Sequence, residues 1–107
     1  LLRHGAEIHP RRLSDGATAL MLAAQEGHER VVELLLQRGA EINLQNSNGD
    51  TALMAAASQG HPATVLRLLR AGADAALRSV NGKSALQLAN LEGHAECVEA
   101  FRQHIAE

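Results

Sequence analysis

Aromatic residues are almost absent from this 107-residue sequence, which has one Phe, no Trp and no Tyr. A conventional single core leans on aromatic bulk, because each ring buries a large area. This interior must instead be built from Leu, Val, Ile and Ala, and small Ala side chains let helix backbones lie close together. Cysteine is limited to Cys97, so no intramolecular disulfide can form, in keeping with a reducing compartment. Charge of one sign is lacking too. The formal net charge is −2, with no basic surplus to neutralise phosphates, which argues against nucleic acid as a partner. Apolar runs are short. Val31-Val32 and Leu34-Leu35-Leu36 fall far below the roughly 20 residues of a membrane span, so no membrane insertion is expected. The opening Leu1-Leu2-Arg3-His4 lacks the order of regions in a signal peptide. What is present, 46 % hydrophobic and 21 % charged residues, describes a globular chain of one-domain length.

The sequence repeats itself. Asp15-Gly16-Ala17-Thr18-Ala19-Leu20-Met21 returns as Asn48-Gly49-Asp50-Thr51-Ala52-Leu53-Met54 and as Asn81-Gly82-Lys83-Ser84-Ala85-Leu86-Gln87, at 33-residue steps. A Gly-His pair keeps the same phase at Gly27-His28, Gly60-His61 and Gly93-His94. A Gly-Ala pair closes the units at Gly39-Ala40 and Gly72-Ala73, and Gly5-Ala6 stands 34 residues before Gly39, which places one inserted residue near Pro10-Arg11-Arg12. A fixed period of this length is the signature of a solenoid.

The physical logic of one unit can be read from its residues. Gly16, Gly49 and Gly82 each follow Asp or Asn, a pairing that favours tight turns. Thr18, Thr51 and Ser84 offer hydroxyl N-caps to a first helix of about eight residues, Ala19 to Glu26 and its equivalents, too short to be stable alone. Gly27, Gly60 and Gly93 end it. A second helix starts near Glu29, Pro62 and Ala95, with Pro62 suited to a first turn. Val32, Leu35 and Leu36, matched by Val65, Leu68 and Leu69, form its apolar face, and Arg38 and Arg70 stand near its negative end. No such pair can bury its own apolar faces, so the pairs must stack.

These markers resemble the ankyrin repeat family. Gly16 to Asn43 carries nearly the whole family pattern: Thr18, Leu20, Ala23-Ala24, Gly27-His28, Val31-Val32, Leu34-Leu35-Leu36, Gly39-Ala40 and Asn43. Two departures recur. The family's Pro is replaced by Ala19, Ala52 and Ala85, and its His by Met21, Met54 and Gln87, so any hydrogen bond from that His is lost here. The resemblance implies an all-α fold, an ankyrin-repeat solenoid of stacked helix-turn-helix units with β-turn or hairpin-like connecting loops. It spans 1–107 as a single domain: 1–9 ends a truncated repeat, 10–43 and 44–76 are repeats, and 77–107 is a C-terminal capping-like repeat. The chain is expected to begin inside a second helix cut from a longer array. At the other end Arg102 replaces the last Leu of the run and Ile105 the closing Gly, so the last helix is expected to continue with a more polar outer face.

The residues with chemistry are weighed against this frame. His28, His61 and His94 lie one repeat apart, roughly 10 Å by helix spacing, whereas ligand atoms on one metal lie about 2 Å from it. They are expected to hydrogen-bond backbone within each turn. His4, His9 and His104 have no companion ligands at suitable spacing and are expected at the surface. Cys97 falls at the position of Val31 and Thr64 and is expected to be a small buried side chain. Glu26, Glu33, Asp50, Glu92 and Glu99 are scattered at variable positions as a solvated face would have them. Gly82-Lys83-Ser84 is the repeat turn, since the full phosphate-loop spacing is absent. No catalytic residue, cofactor or metal site is implied, and no enzymatic activity is expected.

Resemblance to the family instead implies an intracellular protein-binding module, cytoplasmic or nuclear and monomeric as this segment. The partner would meet the turn tips and first helices on a concave face. Carried over, these are Ser14, Asp15 and Ala17; Ser47, Asn48 and Asp50; Val80, Asn81 and Lys83; then Met21 and Gln25, Met54 and Ser58, Gln87 and Leu91, with Glu26, Gln59 and Glu92 beside them. Met21 and Met54 either form an adaptable apolar anchor or pack beneath the turns. The face carries no Trp, Tyr or Arg, the residues that dominate interface hot spots, so the partner is expected to supply the large anchor. The alternative role is an intramolecular regulatory or spacer segment of a larger enzyme, channel or scaffold protein.

Overall fold

The computed structural model describes residues 18–107. The partial repeat at 1–9, the insertion near residues 10–12, His4, His9 and the first tip with Ser14, Asp15 and Ala17 lie outside the described residues. Six helices follow: α1 Ala19–Gln25, α2 Glu29–Gln37, α3 Ala52–Ser58, α4 Pro62–Arg70, α5 Ala85–Leu91 and α6 Ala95–Ala106. They form three helix-turn-helix units, and Ala19, Ala52 and Ala85 open equivalent helices. Among the described residues the only β pairing is an isolated antiparallel bridge between Arg78 and Ser84, at the foot of a hairpin-like tip. The all-α repeat architecture is therefore the one read from the sequence.

The local signals work as their chemistry suggests. Thr18 Oγ1 accepts from the backbone N–H of Met21, and Thr51 Oγ1 from that of Met54, both at 3.2 Å. Each satisfies one of the orphan donors of a helix start. Ser84 does the same for Gln87 at 3.3 Å, and Gln87 Oε1 accepts from the Ser84 N–H at 2.9 Å. The substitution of Met by Gln in the last repeat thus closes a reciprocal capping box. Gly27, Gly60 and Gly93 end the first helices with φ between 72° and 80°, backbone that other residues adopt only under strain.

Packing joins these units into one core. Inner helices α1, α3 and α5 lie side by side, with α2, α4 and α6 as an outer layer. Leu20, Met21, Ala24, Leu53, Met54 and Ala57 fill the inner layer; Val32, Val65, Leu68, Cys97 and Phe101 fill the outer one. Ala23, Ala56 and Ala89 are buried between layers, where a larger side chain would hold the helices apart. Cys97 is fully buried, as its repeat position required, and burial pushes its thiol pKa up, with Glu96 adding to the effect. The thiolate form that reacts is suppressed there.

The loop histidines depart from expectation in one respect. His61 Nε2 pairs with the Gln25 carbonyl at 2.9 Å, and His94 Nε2 with the Ser58 carbonyl at 3.0 Å. Each contact reaches back to the preceding repeat instead of staying within its own turn. The reason is a close approach: a Cβ added to Gly27 would meet the His61 ring at 2.6 Å, and one on Gly60 the His94 ring at 2.9 Å. Glycine leaves room for the ring, and the ring clasps the open carbonyls at the end of a first helix.

Candidate functional site

Turn tips and first helices form one continuous surface. Asn46 Oδ1 accepts from the N–H groups of Asn48 and Asp50, both at 2.9 Å, which folds the second tip. The Asn48 carbonyl then accepts the Val80 N–H at 2.9 Å, tying that tip to the next. Gln45 bridges the same two loops through Nε2, donating to the carbonyls of Gly49 at 2.8 Å and Arg78 at 3.2 Å. Gly49 is required at this junction, because a Cβ there would approach the Val80 nitrogen at 2.9 Å. Backbone polar groups at the base of the tips are thus satisfied by one another, and the tip side chains are left to face outward.

Ser47, Asn48, Val80 and Asn81 are exposed; Asp50 and Lys83 are half-buried. Burial raises the Asp50 carboxyl above its ordinary value. Along the first helices Gln25, Gln59, Leu91, Glu26 and Glu92 are exposed and Ser58 is half-buried. Leu91 is 64 % and Val80 69 % exposed, large values for apolar side chains.

Met21 and Met54 are different. Their side chains are 5 % and 2 % exposed and belong to the core, so the reading in which they pack beneath the turns holds and the exposed-anchor reading is corrected. Each lies on the side of its helix that receives the next repeat. Gln87, at the same position in the last repeat, is exposed, but its amide is engaged by Ser84 and by Arg78 Nη1 at 3.3 Å. The apolar ridges open to a partner are therefore Leu91 and Val80, with Leu22 at 42 % exposure beside Gln25. Leu22 was not singled out from the sequence, because its equivalents Ala55 and Leu88 suggested an ordinary buried helix position.

A second feature lies on the outer layer and escaped sequence reasoning altogether. Between α2 and α4 runs a groove of about 730 Å³ with Leu36, Ile42 and Leu66 in its floor. Arg67 stands across it, with Nη2 3.4 Å from Glu29 and Nη1 3.2 Å from Glu33. The signal in the sequence was the single Arg interrupting the Leu66–Leu69 run, but its partners lie 34 and 38 residues away.

Catalytic chemistry finds little foothold on these surfaces. Among the described residues, no cluster of three His, Cys, Asp or Glu side chains could hold a metal ion. No helix among them is long and apolar enough to cross a membrane. What the exposed surfaces offer is recognition: amide and hydroxyl hydrogen bonds, isolated carboxylates and a few apolar ridges on a rigid repeat.

Such a surface on stacked helical pairs defines a repeat-solenoid protein. The sequence model of the family described as ankyrin repeats (many copies) matches residues 20–69, from α1 through most of α4. The unmatched unit, α5 and α6, carries the same cap hydroxyl, Gly-His pair and helix lengths at the same spacing. The chain belongs to the ankyrin repeat family. No curated protein matches it.

Proposed function

We propose that this chain is a non-catalytic protein-binding module, with residues 1–107 forming one domain whose repeats divide at 43 and 76. The partner engages the tips Ser47, Asn48, Asp50, Val80, Asn81 and Lys83 together with Gln25, Ser58, Leu91 and their neighbours on the first helices. Ser14, Asp15 and Ala17 extend this surface in the first repeat. The observation that carries this reading is the combination of a fully bonded tip backbone with outward side chains that differ between repeats. Recognition from a rigid surface avoids much of the entropy lost on ordering loops.

Leu91 and Val80 take the place of the two methionines as the apolar contacts. Neither is aromatic, so the partner supplies the bulky anchor. Family membership supports a binding role as a class property; the choice of face rests on the exposed side chains. The module works inside the cell, where the buried single thiol needs no disulfide partner.

The test is capture followed by disruption. A partner isolated with the wild-type chain should bind the Gln25→Arg/Leu91→Arg double variant at least about tenfold more weakly, because two contact positions gain charge. Circular dichroism should be unchanged, both sites being exposed. Undiminished binding by a folded double variant would sink the assignment of this face.

A further inference from the structure

The groove between α2 and α4 belongs neither to the tips nor to the first helices, and its make-up points to a particular occupant. We infer that it docks a short basic amphipathic helix from a partner protein, separately from anything bound at the tips. Three observations carry this.

First, the space is large and open along the helices. Its volume is about 730 Å³, against about 250 Å³ for the equivalent groove between α4 and α6. Helix α2 has 9 residues, so the groove is roughly 13 Å long at 1.5 Å per residue, enough for two to three helical turns. Second, the floor is apolar and accessible. Leu36, Ile42 and Leu66 are half-buried, and Ala63 and Leu66 sit three residues apart on one helix, as a seat for apolar side chains of a third helix would require.

Third, the charge on the lip is unbalanced. The carboxylates of Glu29 and Glu33 share the one guanidinium of Arg67. The other lining arginine, Arg70, is held by Glu107 through Nε at 2.9 Å. One negative charge is left over along the α2 lip. An occupant with Leu-type residues on one face and Lys flanking them complements both floor and lip, whereas an acidic helix meets repulsion. Affinity is expected to be modest, because the pairs at the lip are half-exposed.

The probe is a 14-residue capped helical peptide with Leu at i, i+3, i+4 and i+7 and Lys on the flanks, with a twin bearing Glu for Lys. Both are titrated onto the 107-residue chain by fluorescence anisotropy and by methyl NMR. The Lys peptide should shift Leu36, Ile42 and Leu66 signals and bind at least about fivefold tighter than its twin, the scale set by a few exposed ion pairs. Glu29→Gln/Glu33→Gln should erase or reverse that preference. Ala63→Trp, at an exposed helix position, should fill the seat and abolish binding of both peptides without unfolding the chain.

Gln25→Arg/Leu91→Arg should leave the groove affinity unchanged, so this inference and the tip assignment fail independently. Equal binding of the two peptides would overturn the proposal. So would shifts confined to the tips or first helices, indifference to Ala63→Trp, or groove shifts that track self-association of the chain without peptide.

Discussion

The two outer-layer steps of this stack are built from equivalent positions and differ in width. Between α4 and α6 the step is nearly closed; between α2 and α4 it stands open. Position for position, Ala100 in the third unit replaces Arg67 in the second, and Leu66 on α4 replaces Glu33 on α2. Ala100 is buried and leaves α6 free to approach, so α4 and α6 share the more extensive interface. Arg67 cannot be buried without its partners, and its reach toward Glu29 and Glu33 props the helices apart. Its Nε, buried and without a hydrogen-bond partner, marks the strain of that arrangement. A side chain that spaces two helices thus turns a packing seam into a surface with its own chemistry.

The largest effect should come from moving the spacer into the closed step. Ala100→Arg forces a long charged side chain into a well-packed seam. We expect a loss of about 3 kcal/mol in urea unfolding, from overpacking together with an unpaired charge. A smaller loss would mean that α6 yields more readily than its packing implies.

The histidine clasps are common to both steps and should respond alike. Gly27→Ala and Gly60→Ala each place a Cβ against a histidine ring while holding positive φ. Each should cost about 1–2 kcal/mol, measured by thermal or urea denaturation. Very unequal costs would show that the clasps do not act independently of step width.

Arg67→Ala is the converse change and should be mild. The pairs it removes are half-exposed, so stability should move by less than about 1 kcal/mol. A crystal structure of the variant should show α2 and α4 closer, with the groove reduced toward the size of its neighbour. An unchanged groove would separate step width from the residue at this position.

The smallest effects are in pH dependence. The Arg70 guanidinium holds the Glu107 carboxyl below its ordinary range. A carboxyl lowered on folding adds stability above its unfolded pKa, and that stability is lost as pH falls through the folded value. Arg70→Gln should therefore flatten the acid limb of a stability–pH curve slightly. Asp50 acts with the opposite sign. Its carboxyl is raised by burial, so ionisation costs stability as pH rises through the raised value. Asp50→Asn should relieve that cost at neutral pH without altering the tip, since the hydrogen bond there is made by the backbone N–H.

The same contrast separates what was legible in the sequence from what was not. Helix limits, caps and turns could be read because Thr51, Gly60 or Pro62 acts within a few residues of itself. Repetition then supplied the stacking, since each short helix needed a neighbour. Met54 could not be assigned from its own unit, because its burial depends on the face of the next repeat that covers it. The clasp of His94 was hidden for a similar reason: its acceptor, the Ser58 carbonyl, is a backbone group with no sequence signal. Arg67 read as one charged residue in an apolar run, and only its distant glutamates reveal it as a spacer. Contact residues on the tips were inferred from variation between repeats, which marks where framework demands end but not what fills the space.

The central claim is that a protein partner meets the tips and first helices. Hydrogen exchange of the intact chain, with and without a captured partner, tests it most directly. The account predicts protection at residues 47–50 and 80–83 and along α1, α3 and α5. Protection confined to α2, α4 and α6, with those segments unchanged, would contradict it.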